Sequence, residues 1–237
     1  MSVTSRAGSS RDVAVVIVAA GAGVRAGPGE LKQFRPVAGV PLLLRALRPF
    51  LAEPDVTRIV ISLPAGVTER LPSWLAGLVG ERVVVVTGGA TRADSVRAGL
   101  RVLDPPPPVV LVHDGARPFV SPTTIASVIE RARAGVGAVA AIPVGDTIKD
   151  VEDDGRVART VPRGRLWRSQ TPQGFPGPVL AQAYACWPTE GAPPTDDAEV
   201  VERVGFPVEV VQGSARNMKV TTEEDWRLAE LLAREDD

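Results

Sequence analysis

Apolar and polar positions alternate along this chain with two different periods. Short apolar runs rich in β-branched residues are typical of buried parallel strands, and they occur at residues 13–18, 56–63, 83–86, 109–113 and 137–143. Between these runs, apolar residues recur at helical spacing, as in Val96, Leu100 and Leu103. The alternation predicts an α/β fold built on a doubly wound, mostly parallel sheet.

Two helices carry recognisable start signals. Ser121 followed by Pro122 predicts an N-cap and a proline at the first helical position. The last helix is predicted to begin at Thr221 or Thr222, with Thr221 and Glu224 forming a capping box. The residues expected to be buried by this last helix are Leu228, Leu231 and Leu232.

A polar segment at residues 146–171 interrupts the alternation. Asp153-Asp-Gly-Arg is a tight-turn signal, and residues alternate in character on both sides of it. This pattern predicts a β-hairpin arm. A hairpin of this kind buries too little apolar surface to be stable alone, so we expect it to pack on another subunit.

Composition and charge narrow the class of protein. With 237 residues and 44% apolar content, residues 13–237 are expected to form one domain, preceded by a disordered extension at residues 1–12. A net charge of −1 argues against a general nucleic-acid binder. No apolar run is long enough to span a membrane and no signal peptide is evident, so we expect a cytoplasmic protein.

A glycine-rich turn follows the first strand. It contains Gly21, Gly23 and Gly27, and the cations Arg25 and Lys32 follow closely. Glycines let backbone N–H groups approach a phosphate, and more than one cation favours a nucleoside triphosphate over a pyrophosphate. The turn matches neither a Walker loop nor a dinucleotide fingerprint, because the expected lysine-serine pair and the ribose-binding carboxylate are both missing.

Other polar segments follow predicted strands. In the segment that begins at Gly88, backbone amides, Arg92 and Ser95 are candidates for contacting a nucleobase or ribose. Asp114 and Arg117 follow the strand that ends at His113, and ligands of open α/β sheets bind beyond the carboxyl ends of strands. His113 itself is expected to be a core residue.

Taken in order, these segments resemble the motifs of the 2-C-methyl-D-erythritol 4-phosphate cytidylyltransferase family. The motifs are Ala19-Ala-Gly-Ala-Gly-Val-Arg25, Lys32-Gln33, Gly88-Gly89 with Arg92 and Ser95, His113-Asp-Gly-Ala-Arg-Pro-Phe119, Asp146-Thr-Ile-Lys149, Leu166-Trp167, Gln170-Thr-Pro-Gln173, Thr195-Asp-Asp-Ala198 and Asn217-Met-Lys-Val-Thr221. The resemblance implies a Rossmann-like fold of the nucleotide-diphospho-sugar transferase type. It also implies transfer of CMP from CTP to methylerythritol phosphate with release of pyrophosphate.

The same resemblance implies roles for individual residues. The catalytic residues would be Arg25, Lys32, Arg163 and Lys219. CTP would be held by Ala19, Ala20, Gly21, Ala22, Gly23, Gly88, Gly89, Arg92, Ser95 and Gly115. The acceptor would contact Asp114, Arg117, Thr147 and Thr171. Family members are homodimers whose arm reaches the partner's site, so Arg163 would act across the dimer, although Arg165 competes for that role.

Magnesium is expected on the phosphate oxygens, ligated chiefly by substrate and water, with Asp114 the only carboxylate nominated near it. Three other functions remain open at this point. A cytidylyltransferase for another polyol phosphate, such as ribitol 5-phosphate, would share nearly all of these loops. A nicotinamide-dependent oxidoreductase is disfavoured by the missing ribose carboxylate. A non-catalytic nucleotide sensor would bind CTP without consuming it.

Overall fold

The structure is a computed structural model that describes residues 10–21, 31–188 and 191–236. The strands are β1 (Val13–Val18), β2 (Pro36–Val37), β3 (Val40–Pro41), β4 (Val56–Leu63), β5 (Val83–Thr87), β6 (Val109–Asp114), β7 (Gly137–Pro143), β8 (Ile148–Val151), β9 (Val157–Val161), β10 (Trp167–Pro176) and β11 (Val208–Gln212). The helices are α1 (Leu42–Ala52), α2 (Ser73–Ala76), α3 (Arg92–Val102), α4 (Pro122–Arg133), α5 (Gly177–Cys186), α6 (Asp197–Arg203) and α7 (Glu223–Asp236). A short 3₁₀ turn covers Lys32–Phe34.

The central sheet confirms the predicted α/β fold. Within the described residues it has seven strands in the order β11-β7-β10-β6-β1-β4-β5. All neighbouring pairs are parallel except those of β10, which runs antiparallel to both β6 and β7. The chain moves from β1 outward through β4 and β5, then returns to place β6 on the other side of β1. The strand order therefore reverses between β1 and β6, where open α/β sheets bind ligands.

Helices cover both faces of the sheet, which explains the continuous apolar strands. Along β1, alternate side chains enter different cores: Val15 and Ile17 face α1 and α4, whereas Ala14 and Val16 face α3 and α5. The predicted start of α4 is confirmed, because the Ser121 hydroxyl accepts a hydrogen bond from the Thr124 amide at 3.1 Å.

The last helix begins after Thr222, one of the two predicted starts, but the predicted capping box and the predicted buried face are wrong. Thr222, not Thr221, is the N-cap: its hydroxyl accepts from the Asp225 amide at 3.2 Å, and the Asp225 carboxylate accepts from the Thr222 amide at 2.8 Å. Leu228 and Leu231 are exposed at 47% and 60%. The buried face consists of Trp226, Ala229 and Ala233, which pack with Val37 and Leu42. The space beside β2 and β3 admits one tryptophan and small alanines.

The predicted hairpin is present but shorter than the segment assigned to it. Strands β8 and β9 pair antiparallel around a turn in which Gly155 has a φ of +86°. Most of the hairpin is exposed, including Val151 and Val157. Residues 167–171, which were included in the predicted arm, belong instead to β10 in the central sheet.

Asp12, at the end of the predicted extension, is anchored to the domain. Its carboxylate pairs with Arg133, and its carbonyl accepts from the Val109 amide at 3.3 Å. Residues 1–9 lie outside the described part of the chain. Across the residues that the structure describes, no helix combines the length and apolarity needed to cross a bilayer.

Candidate active site

A cleft of about 780 Å³ opens at the carboxyl ends of β1 and β6, at the point where the strand order reverses. Its wall includes the loop after β1, the first turn of α3, the loop after β6 and the segment before α7. Of the predicted site residues, the cleft is lined by Ala19, Ala20, Gly21, Lys32, Gly89, Arg92, Ser95, Asp114, Gly115 and Lys219. Ala22, Gly23 and Arg25 lie outside the described residues.

Hydrogen bonds from the amide and the carbonyl of Ala19 hold the loop after β1 in place. The Ala19 amide donates to the Ser62 carbonyl at 2.9 Å, which extends the pairing of β1 with β4. The Ala19 carbonyl accepts from Nε2 of Gln33 at 3.0 Å, and Gln33 is buried. Gln33 therefore ties the loop after β1 to the short turn that contains Lys32. Gln33 belonged to one of the motifs but had no predicted role.

The start of α3 forms a second wall of the cleft. Thr91 is its N-cap, and a reciprocal capping box with Asp94 satisfies the first amides of the helix. The positive end of the α3 dipole therefore faces the cleft, where it favours an anion.

Donor groups of the turn before α3 are used within the fold. The Gly88 amide donates to the Leu63 carbonyl at 2.8 Å, and the Gly89 amide donates to the Ser95 hydroxyl at 3.2 Å. The Ser95 hydroxyl in turn donates to the Thr91 carbonyl at 3.1 Å. A Cβ at Gly88 would lie 2.3 Å from Cβ of Ala20, so these two loops touch. The amides of Gly88 and Gly89, which were predicted to be available to a base, are therefore already bonded within the fold.

Asp114 is the electrostatic centre of the cleft. One carboxylate oxygen accepts from Nε of Arg92 at 3.0 Å, and the other contacts Nζ of Lys219 at 2.8 Å and Nε of Arg117 at 3.7 Å. Burial alone would raise the pKa of Asp114, but Arg92, Lys219 and Arg117 hold it well below its usual value of 3.8. Asp114 is therefore ionised, with both oxygens engaged by cations.

A second carboxylate lies behind this cluster. Nη2 of Arg92 donates to Asp197 at 2.7 Å, and the hydroxyl of Tyr184 donates to the other oxygen of Asp197 at 2.6 Å. Asp197 is fully buried, and the Gln173 side chain accepts from its amide at 3.0 Å. Burial, followed by the nearby Asp197 charge, raises the pKa of the Tyr184 hydroxyl. Arg92 thus bridges two carboxylates.

His113 is a core residue, as expected. Burial lowers its pKa to about 4, so its imidazole is neutral at pH 7. Nε2 donates to the Arg117 carbonyl at 3.0 Å, which leaves Nδ1 to accept from the Thr171 hydroxyl at 3.0 Å. The Thr171 oxygen also accepts from the Asp114 amide at 3.0 Å. Thr171 is buried. Its only hydroxyl proton is donated to His113, and its oxygen holds the Asp114 amide at the end of β6.

The segment that carries Lys219 is fastened to β10. Nδ2 of Asn217 donates to the Thr171 carbonyl at 2.8 Å, and the Asn217 carbonyl accepts from Nη1 of Arg117 at 2.7 Å. Gln170 adds a hydrogen bond from Nε2 to the Ser214 carbonyl at 2.9 Å. Asn217 and Gln170 were quoted as motif residues without a role, and these contacts show that they hold Lys219 beside Asp114.

Three predicted acceptor residues, the predicted catalytic residue Arg163 and the predicted CTP contact Gly88 are absent from the lining of this cleft. Arg117 and Thr171 lie behind Asp114, as described above. Thr147 and Arg163 are exposed, the first just before β8 and the second between β9 and β10. Arg165 is also exposed, so the position of the two arginines within one subunit does not separate them.

Among the described residues, no group of three or more His, Cys, Asp or Glu side chains is arranged to hold a metal ion. Asp114 is the one carboxylate in the described lining of the cleft, and three cations already engage its oxygens. The donor set therefore does not fit a metal ion held by the protein alone, and the nomination of Asp114 as a metal ligand finds no support in this geometry.

Known proteins share this sequence and fold. The family model of IspD, described as 2-C-methyl-D-erythritol 4-phosphate cytidylyltransferase, matches residues 13–235. A relative from Symbiobacterium thermophilum with that name is 44% identical over 94% of each chain. One from Frankia casuarinae is 43% identical over 95% of this chain and 83% of its own length. The crystal structure of the Thermus thermophilus enzyme of that name superimposes with a TM-score of 0.78 at 38% identity. The superposition covers 94% of this chain and 99% of that one. The sequence match and the superposition span the sheet and every wall of the cleft, and the chain belongs to the 2-C-methyl-D-erythritol 4-phosphate cytidylyltransferase family.

Proposed function

We propose that this cleft transfers CMP from CTP to 2-C-methyl-D-erythritol 4-phosphate, giving 4-diphosphocytidyl-2-C-methyl-D-erythritol and pyrophosphate. The observation that carries the proposal is the excess of cations at the point where the strand order reverses. Lys32, Arg92 and Lys219 line this cleft of about 780 Å³, and Asp114 is the one carboxylate among its described lining residues. Behind the lining, Arg117 also contacts Asp114, and Arg92 contacts the buried Asp197.

The chemistry requires this excess because both substrates are anions. Two like unit charges about 4 Å apart repel by roughly 4 kcal/mol at an effective dielectric near 20, and several charges meet here. In the proposed step an oxygen of the acceptor phosphate attacks the α-phosphorus of CTP. The bond from that phosphorus to the β-phosphate oxygen breaks, and pyrophosphate leaves with the electron pair. Lys32 would stabilise charge on the α-phosphate and leaving group, and Lys219 would hold the acceptor phosphate.

The turn before α3 supports a preference for cytosine. The amides of Gly88 and Gly89 and the hydroxyl of Ser95 already donate inside the fold. In the proposed complex, carbonyl oxygens of this turn would accept from the amino group of cytosine and would repel the O4 oxygen of uracil. CTP is therefore the proposed nucleotide, with its triphosphate at the loop after β1 and the start of α3.

Magnesium remains part of this proposal as a companion of CTP. It would be bound by triphosphate oxygens and water, which is the usual arrangement for this ion. No protein ligand is assigned to it, because Asp114 is engaged by cations.

The decisive experiment is a pyrophosphate-release assay with the purified chain. We expect release with CTP and 2-C-methyl-D-erythritol 4-phosphate, and much less with ribitol 5-phosphate in place of that acceptor. Faster turnover of ribitol 5-phosphate would transfer the assignment to another polyol phosphate. Tight binding of CTP without any pyrophosphate release would identify a nucleotide sensor and contradict catalysis.

The hairpin formed by β8 and β9 supports a proposed homodimer. Its strands are mostly exposed, with Val151 and Val157 exposed at 52% and 57%, and Trp167 nearby exposed at 42%. A two-stranded sheet with apolar side chains in water is marginal alone, so a second copy is the proposed cover. Arg163, at the base of the hairpin, would then enter the partner's cleft.

Subunit mixing tests the shared site. If Lys32 and Arg163 serve the same site from different subunits, an inactive Lys32→Ala dimer and an inactive Arg163→Ala dimer should restore each other's activity on mixing. After statistical exchange, half the dimers are mixed and each has one intact site, so about a quarter of wild-type sites return. Failure of rescue despite measured subunit exchange would place Arg163 in its own subunit's site or outside the mechanism.

A further inference from the structure

A row of hydrogen-bonded side chains connects the cleft with the core beneath α5. Starting in the core, the Tyr184 hydroxyl donates to Asp197 at 2.6 Å, and Nη2 of Arg92 donates to the other Asp197 oxygen at 2.7 Å. Nε of Arg92 donates to Asp114 at 3.0 Å, and Lys219 contacts the far oxygen of Asp114 at 2.8 Å. The Asp197 side chain at the inner end is 0% exposed, and the Lys219 side chain at the outer end is 44% exposed.

Arg92 is held by one edge of its guanidinium group. Nε and Nη2 lie on the same edge, and each is bound to a different carboxylate. Nη1, on the opposite side, forms no hydrogen bond with the part of the chain that the structure describes, while Arg92 lines the cleft. The planar group cannot turn without breaking one of its two contacts. Asp197 therefore decides which nitrogen of Arg92 remains for a ligand.

Within the described residues, the Asp197 carboxylate forms hydrogen bonds with Arg92 and Tyr184 alone. The N-cap of α6 is its neighbour Asp196, whose carboxylate accepts from the Glu199 amide at 3.0 Å. The Asp197 amide is satisfied by the Gln173 side chain, which also accepts from the Ala198 amide at 2.9 Å. These contacts pin the start of α6 to β10 without using the Asp197 carboxylate, which is left to serve Arg92 and Tyr184.

We infer that Asp197 is a positioning residue for the reaction, with Tyr184 as its support. It fixes the Nε–Nη2 edge of Arg92, which keeps Asp114 and Lys219 in place and leaves Nη1 for a phosphate oxygen of the nucleotide. The inference rests on the proposed function for its kinetic consequences, but its geometric claim concerns the hydrogen bonds of Arg92 and can be tested without turnover.

Asp197→Asn keeps the size of the side chain and removes the charge. Its oxygen can still accept from Nη2 of Arg92 while its NH2 donates to the Tyr184 oxygen, but the charge that holds the guanidinium group against this side chain is lost. We expect kcat to fall about tenfold or more while the KM for CTP changes less than about threefold, because a misplaced contact acts mainly in the transition state. Glu202→Gln is the matched control, since it exchanges an exposed carboxylate on the same helix for an amide, and its kcat should stay within about twofold of wild type.

A double-mutant comparison separates positioning from stability. If Asp197 acts through Arg92, then adding Asp197→Asn to an Arg92→Gln enzyme should lower kcat further by less than about twofold. The same tenfold loss in both backgrounds would overturn the inference, as would wild-type kcat in Asp197→Asn. Should Asp197→Asn fail to fold, Tyr184→Phe replaces it: it removes only the hydroxyl that supports Asp197, and kcat should fall about two- to threefold.

A spectroscopic measurement keeps the inference independent of the reaction. The Arg92 Nε–H signal, assigned in ¹⁵N NMR by its loss in Arg92→Gln, should exchange slowly in wild type and in Glu202→Gln. It should shift and exchange faster in Asp197→Asn. An unchanged signal there would refute the positioning role. Absence of pyrophosphate release by the wild-type enzyme would instead contradict the proposed function and leave this result to stand by itself.

Discussion

Asp114→Asn removes one negative charge from the point where Arg92, Arg117 and Lys219 meet. The asparagine oxygen can still accept one hydrogen bond, but the charge that balanced three cations is gone. Arg92 keeps Asp197 as a partner, and Lys219, exposed at 44%, can turn toward water. Arg117 loses its only ion pair within the described residues. Burial, together with the nearby Arg92 charge, already lowers the pKa of the Arg117 guanidinium.

These contacts determine how much stability Asp114→Asn should lose. Removing one partner of a buried ion pair costs ~3–5 kcal/mol, and the solvent exposure of Lys219 puts this case near the lower end. A loss of ~3 kcal/mol corresponds to a fall of roughly 6–12 °C in the Tm of a chain this size. Compared with Asp114, the exposed pair of Asp150 and Arg159 on the hairpin should contribute ~1 kcal/mol or less, so Asp150→Asn is the matched control.

The pH dependence gives a second, independent check. The folded-state pKa of Asp114 lies below its usual value of 3.8, so its contribution to stability is complete above that value and disappears as the pH falls through the folded-state pKa. The difference in unfolding free energy between wild type and Asp114→Asn should therefore be constant from about pH 8 to about pH 5 and shrink below about pH 4. Urea unfolding across this range measures it. A difference under ~1 kcal/mol at pH 7, or one that grows on acidification, would refute the cluster as described.

Three further outcomes are expected. Lys32→Ala should lower turnover roughly 100-fold or more while weakening CTP binding far less, because Lys32 acts on charge that develops in the transition state; steady-state kinetics and calorimetric titration compare the two, and near-normal turnover removes Lys32 from the mechanism. In the pyrophosphate assay CTP should be strongly preferred over UTP, ATP and GTP, whereas equal use of UTP would show that the turn at Gly88 does not read the base. Thr222→Ala should destabilise α7 by ~1 kcal/mol in urea unfolding, and an unchanged free energy of unfolding would show that Thr222 does not cap the helix.

Five strands of the central sheet were predicted at nearly the bounds that the structure has. β1, β4, β6 and β7 are continuous apolar runs because helices cover them on both faces, and the edge strand β5 is a run of four valines although it is only partly buried. β10 was not predicted as a strand, although it lies in the middle of the sheet. Its Gln170, Thr171 and Gln173 are buried but polar, because they hold the loops of the site. A strand whose inward-facing residues are polar lacks the apolar pattern from which buried strands are predicted.

The last helix failed for a different reason. Two faces of α7 have helical spacing, and the prediction chose the leucines, which carry the larger apolar area. The structure buries Trp226 and the alanines, since only this face fits against Val37 and Leu42. Intrinsic hydrophobicity cannot reveal the shape of the space that a helix must fill.

The location of the candidate site was predicted from the sequence, but the hydrogen bonds between its residues were not. The ends of β1 and β6 indicated where the cleft lies, and Asp114 was selected on that basis, whereas Lys219 was selected from the family resemblance. Arg92 bridges Asp114 and Asp197, which lie 22 and 105 positions away along the chain, and no local pattern records such a pairing. The density of carboxylates in Thr195-Asp-Asp was the available signal, but it did not identify a partner.

The antiparallel strand β10 determines the order in which the sheet can close during synthesis. β6 and β7 are joined only through β10, which follows β7 in the chain by way of the hairpin. Until residue 176 has emerged, β6 presents a free edge made of Val109, Val110, Leu111 and Val112, all fully buried in the finished domain. Such an apolar edge is a template for pairing with other chains. A nascent chain is therefore most prone to aggregation between the completion of β6 and the arrival of β10.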